Sequence, residues 1–179
     1  MLLQETPIKD LMNATKKNFK SDRSKEANSV HIKEKKFIKA DDTLTCVAKI
    51  SSASGNGTYT TKVEMNDMIY DEQGPLSLVD SSNQIIRLYP CTLTTNPIKT
   101  SCNCLDYYQR MASYNKSDQS LIGNEVPGSY KSPTTPENKK KGNPNNSIGL
   151  CKHLVALVNQ LKKERVVVYY NNPVAVKPQ

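Results

Sequence analysis

The chain reads as an α+β fold, in which a small antiparallel sheet is stapled to a C-terminal helix, an N-terminal helix and basic arm come first, and a long irregular insert interrupts the sequence. Three observations predict this. Two alternating apolar stretches face each other across a Gly-Asn-Gly turn, an amphipathic stripe runs near the C-terminus, and two short cysteine-bearing clusters flank the insert.

The expected organisation is a helix and basic arm over 1–40, an α+β domain over 41–170 with its insert at 113–148, and a tail over 171–179. A chain of 179 residues is long enough for a full core, but only 36% of its residues are hydrophobic and the mean hydropathy is −0.62. Part of it should therefore carry little core of its own. No apolar run approaches the length that crosses a bilayer, so no membrane partner is expected.

In the first segment Thr6 is a candidate cap and Pro7 suits a first helical turn, after which Ile8, Leu11, Met12, Thr15 and Phe19 share one stripe. Residues 20–39 are polar and mostly positive, which reads as an arm. Next, Leu44, Cys46, Ala48 and Ile50 alternate with Thr45, Val47 and Lys49, and Tyr59, Thr61, Val63 and Met65 alternate after Gly55-Asn56-Gly57. That pattern predicts a hairpin. A third strand is expected over 84–93, after the Gly74-Pro75 turn, and a fourth over 166–170. The stretch 113–148 holds four prolines (127, 133, 136, 144) and the run Lys139, Lys140, Lys141, so it reads as loop. Finally Leu150, Leu154, Leu157, Val158 and Leu161 recur at helical spacing, with Lys162 and Lys163 at the end where cations suit the helix dipole. Ser147 or a neighbouring Asn offers the N-cap.

The chemistry lies in Cys102-Asn103-Cys104 and Cys151-Lys152-His153. These clusters take three of five cysteines and one of two histidines. Three thiolates and an imidazole are the donor set of a closed tetrahedral zinc site. Cys102 and Cys104 can face one metal from a strand or a tight turn. In a regular helix, residues two apart point to nearly opposite sides, so Cys151 and His153 can ligate together only if Cys151 lies in the non-helical turn before the helix. A helix N-terminus also favours thiolate, and Lys152 is placed to screen the net negative charge. Buried cysteines and helix histidines also occur as packing residues, but that alternative leaves the paired spacing unexplained. Cys-x-Cys is poor geometry for a disulfide, and the opening Met1-Leu2-Leu3 is broken by Gln4 and Glu5, so no secretory signal is expected and a reducing compartment fits better. Cys46 and Cys91 fall in strand-like runs and read as packing residues, and His31, among lysines, as solvent-exposed.

Cys-x-Cys, an insert, then Cys-x-His resembles the SWIM zinc finger. The matching stretches are 102–108 and 151–157, where Tyr107 or Tyr108 and the leucine stripe after His153 are similar to the family's flanking aromatic and aliphatic helix. The resemblance implies Zn2+ held by Cys102, Cys104, Cys151 and His153. The insert over 105–150 is 46 residues, longer than the family's usual one. Loop-closure entropy grows slowly with length, so the pairing survives. Short chains of this kind also resemble small structural proteins of large tailed phages, which implies a virion or other large assembly.

Four protein ligands leave no open coordination position for catalysis. Asp106 is the one acid beside the clusters, and Glu125 and Glu137 lie in the insert. No Ser/His/Asp set, P-loop or dinucleotide fingerprint is present, so a non-enzyme is expected. Net charge divides as +5 over 1–40, −4 over 41–130 and +7 over 131–179. The basic ends suit protein neighbours in an assembly or, alternatively, nucleic acid gripped by Lys139, Lys140, Lys141, Lys162, Lys163 and Arg165. Tyr107, Tyr108, Tyr114 and Tyr130 read as packing or interface residues rather than base-stacking ones.

Overall fold

The computed structural model describes residues 6–19, 22–52, 54–123, 143 and 145–169. The lysine run 139–141, Tyr130, the prolines at 127, 133, 136 and 144, and the tail over 171–179 lie outside the described residues.

The fold is α+β. Its main sheet has four antiparallel strands in the order β1-β2-β3-β7, formed by β1 (Ile32–Ala40), β2 (Thr43–Ser51), β3 (Thr58–Met65) and β7 (Ile98–Cys102). The expected hairpin is β2 and β3, with Leu44 opposite Met65 and Ile50 opposite Tyr59. Period-two alternation puts Leu44, Cys46, Ala48, Ile50, Val63, Met65 and Ile98 on one buried face. Against that face packs α5 (Lys152–Lys163), whose Leu154, Leu157, Val158 and Leu161 are fully buried. Ile8 and Leu11 of α1 (Ile8–Asn18) join the same core. Removing so large an apolar area from water is the main stabilising term.

The cap of α1 differs from expectation. Pro7 is its N-cap, with no side-chain cap hydrogen bond, while the Thr6 hydroxyl donates instead to Asp118 Oδ2 at 2.7 Å. Over 20–39 the expected arm is largely folded, as α2 (Arg23–Ala27) and the edge strand β1. An edge strand needs few apolar residues, and lysines on it discourage edge-to-edge association. Phe37 supplies its buried anchor. A boundary between 40 and 41 therefore divides a paired hairpin, because Ala40 lies opposite Thr43.

The predicted third and fourth strands belong to other sheets. Residues within 84–93 form β5 (Ile85–Leu88), paired with β4 (Leu76–Val79), and then β6 (Cys91–Thr92). Pro90 separates the two because it cannot donate to a ladder. Val167–Val168 forms β8, which runs parallel to β6 rather than joining the main sheet. The place beside β3 goes to β7. Two short helices, α3 (Leu105–Arg110) and α4 (Ala112–Ser117), occupy the start of the expected insert, so irregular chain does not begin at 113.

Candidate metal centre

Three element ends meet on the buried side of the sheet. Cys102 is the last residue of β7, Cys104 is the N-cap of α3, and Cys151 is the N-cap of α5, with His153 in that helix's first turn. Cys151, not Ser147 or an Asn, is the cap. Its φ of −72° and ψ of 167° are extended, which is the non-helical geometry that joint ligation with His153 requires.

The three sulfurs and one imidazole nitrogen all lie within 4.8 Å of one another. His153 Nδ1 is 3.9 Å from Cys102 Sγ and 4.0 Å from Cys151 Sγ. Around zinc, with Zn–S near 2.3 Å, a tetrahedron has edges of about 3.8 Å. The cluster is thus close to the size of a metal-filled one and can hold a metal ion. All four residues are buried. Nδ1 faces the sulfurs while Nε2 has no hydrogen-bond partner, and the Tyr59 ring lies 4.6 Å from the imidazole centre. A proton on Nε2 leaves the Nδ1 lone pair free for a cation.

The electrostatics ask for such a cation. Burial pushes the Cys102 thiol up, but hydrogen bonds from Cys104, Cys151 and Thr61 outweigh it and hold that thiol well below its ordinary range. Burial together with Cys102 and Cys104 pushes Cys151 well above it. The cluster on its own therefore favours thiolate at Cys102 and resists it at Cys151, whereas a central dication stabilises all three thiolates together. The surroundings are built for negative sulfur. Thr61 Oγ1 lies 3.5 Å from Cys102 Sγ, and the Tyr107 backbone N–H donates to Cys104 Sγ at 3.4 Å. The N-terminal end of α5 adds its positive dipole.

Asp106 is engaged elsewhere. Its Oδ1 accepts from Arg23 Nη2 at 3.0 Å and Arg110 Nη1 at 3.2 Å, which ties α2 to α3. Burial raises its pKa, and the two guanidinium groups oppose that. Arg23 Nε and Asp106 Oδ2, both buried without partners, are the unmade half of a two-pronged contact.

Asn115 has a structural role that its sequence context did not signal. It is fully buried in α4, and its side chain both donates to and accepts from the Gly149 backbone at 3.0 Å, just before Cys151. Thr15 of α1 adds its hydroxyl, which accepts from the Leu150 N–H at 2.8 Å. Tyr107 is a core residue whose hydroxyl meets Thr100, and the Tyr114 hydroxyl donates to Asn146.

The remaining candidates lie apart from the cluster. Lys162 and Lys163 sit at the other end of α5, about 18 Å along the axis from Cys151. Lys162 rests over the Tyr169 ring, and Arg165 follows in the turn with φ of 60°. Cys46 and Cys91 are fully buried and His31 is exposed, as expected. Among the described residues no helix is long and apolar enough to cross a membrane. No protein-family model, curated protein or solved structure matches the chain.

Proposed function

We propose that the chain is a non-enzymatic structural protein that binds one Zn2+ through Cys102, Cys104, Cys151 and His153 in a closed, SWIM-type site. The convergence of four buried soft and nitrogen donors from three element ends carries this reading. A donor set of three thiolates and one imidazole selects zinc over harder cations such as magnesium or calcium. The metal would staple the end of the main sheet to the starts of α3 and α5, so that binding free energy appears as folding free energy.

The stiffened module then serves an interaction role within a larger assembly, with a virion as the proposed setting. Protein neighbours are favoured over nucleic acid because Lys162, one of the candidate phosphate-gripping residues, is already placed over the Tyr169 ring. Elemental analysis of protein purified without added metal tests the zinc reading, with about one zinc per chain expected. A gel shift at low and high salt tests the partner class. Duplex binding that weakens steeply with salt would replace the protein-assembly reading with the nucleic-acid one.

A further inference from the structure

Two sheet faces are left uncovered, and their characters are opposite. The first belongs to the small β4–β5 sheet, which a third segment extends, since Tyr89 N–H donates to Ile69 O at 2.9 Å and Asp71 N–H to Arg87 O at 3.1 Å. Leu76, Leu88 and Tyr70 pair across it and point inward. Alternation therefore puts Ile69, Val79, Ile85 and Tyr89 on the outer side, where they are 61%, 58%, 72% and 42% exposed. They are four of the seven large hydrophobic residues exposed among the described residues. Arg87 lies on the same side, opposite Ser77 and beside Asp71, and the other charges of 66–90 are Asp67, Glu72 and Asp80, so the rim of this face is net acidic.

The second is the outer face of the main sheet, opposite the one that α5 covers. Cross-strand pairing sets Lys36, Val47, Lys62 and Ser101 in one row. Lys49 and Lys99 flank it and are paired with Glu34 and Glu64. Among the described residues no ion pair joins Lys36 or Lys62 to a carboxylate, and Glu34, which the Lys36 charge reaches, is already held by Lys49, so the row keeps a net positive charge around a half-buried valine.

We infer that these two faces dock on each other between copies of the chain, the acidic apolar face of one copy lying on the lysine row of the next. Apolar area supplies the drive and the unlike charges set the pairing. Like-with-like contact is disfavoured, because it would oppose two acidic rims or two lysine rows. The contact uses different patches on the two partners, so it is heterologous and can extend into a ring or filament. It rests on the reading of the protein as an assembly component and identifies a second copy as one of its neighbours.

Sedimentation of the zinc-loaded full chain over a wide concentration range tests this. Wild type should self-associate, and more weakly at high salt. Val79→Asp/Ile85→Asp removes one face and Lys36→Glu/Lys62→Glu the other; each should lower the association constant by at least about tenfold. An equimolar mixture of the two variants should form a dimer that grows no further, because each supplies the face the other lacks. That recovery also shows that both variants are folded. A wild type that stays monomeric at the highest concentration, with its zinc bound, would overturn the inference while leaving the metal reading intact. A variant that still self-associates as wild type does would overturn it in favour of a like-with-like contact, and zinc-bound variants that fail to associate with each other, despite a self-associating wild type, would overturn it outright.

Discussion

Cys102, Cys104 and Cys151 share one buried cluster with His153, whereas Cys46 and Cys91 are buried alone, and their chemistry should differ accordingly. Burial pushes each isolated thiol up to about 12, and at Cys46 the Lys35 charge offsets only part of that rise. At pH 8 only about one such thiol in ten thousand is ionised. Alkylation of the native, chelator-treated protein, read by peptide mass spectrometry, should therefore label Cys102, whose thiol its neighbours hold well below the ordinary range, well before Cys46 and Cys91. The same shifts predict alkaline sensitivity. A thiol whose folded pKa is raised from 9.0 to about 12 holds its proton only in the fold, so the stability it contributes is present below pH 9 and is lost as pH rises towards 12. Tyr70, also raised to about 12 by burial, acts in the same direction. Melting temperature should fall above pH 9, and the slope should be shallower in Cys46→Ala/Cys91→Ala.

At the scale of elements, close backbone approach is the most sensitive feature. A Cβ on Gly74 would lie 2.6 Å from the Leu88 backbone nitrogen, so Gly74→Ala must push the turn at 71–74 away from β5. A loss of about 1–3 kcal/mol in denaturant unfolding is expected. Leu154→Ala, beneath the sheet in α5, should cost about 2–5 kcal/mol. How legible each element was follows from how local its cause is. The β2–β3 hairpin and α5 announce themselves because their apolar periodicities are uninterrupted. Strand β1 does not, since an edge strand can be mostly lysine and still pair along Ile32–Ala40. The sheet assignment of 84–93 fails for a different reason. Its apolar content suits any sheet, and the choice of β7 beside β3 is made by long-range packing around Thr100 and Cys102. Helices α3 and α4, six residues each, are too short for a periodic signal.

Across the whole molecule, the cluster joins residues about fifty positions apart and brings the end of one sheet strand to the starts of two helices. Its members were readable because ligand chemistry restricts residue types and spacing more tightly than a core does. Its supports, Asn115, Thr15 and Asn103, were not, because a buried amide or hydroxyl acquires its purpose only when the chain segments meet. Asn103, between the two cysteines, shows this, since its side chain accepts from the Thr60 N–H at 2.9 Å and fixes the turn against β3. Cys104→Ala and His153→Ala should each lower zinc content and melting temperature together, since the ligands act as one unit. The most direct measurement is zinc stoichiometry and thermal unfolding of the same sample before and after stripping with a strong chelator. About one zinc per chain and a melting temperature that falls by at least about 10 °C on stripping are predicted. Protein that carries no zinc as purified and melts at the same temperature with and without chelator would contradict the account.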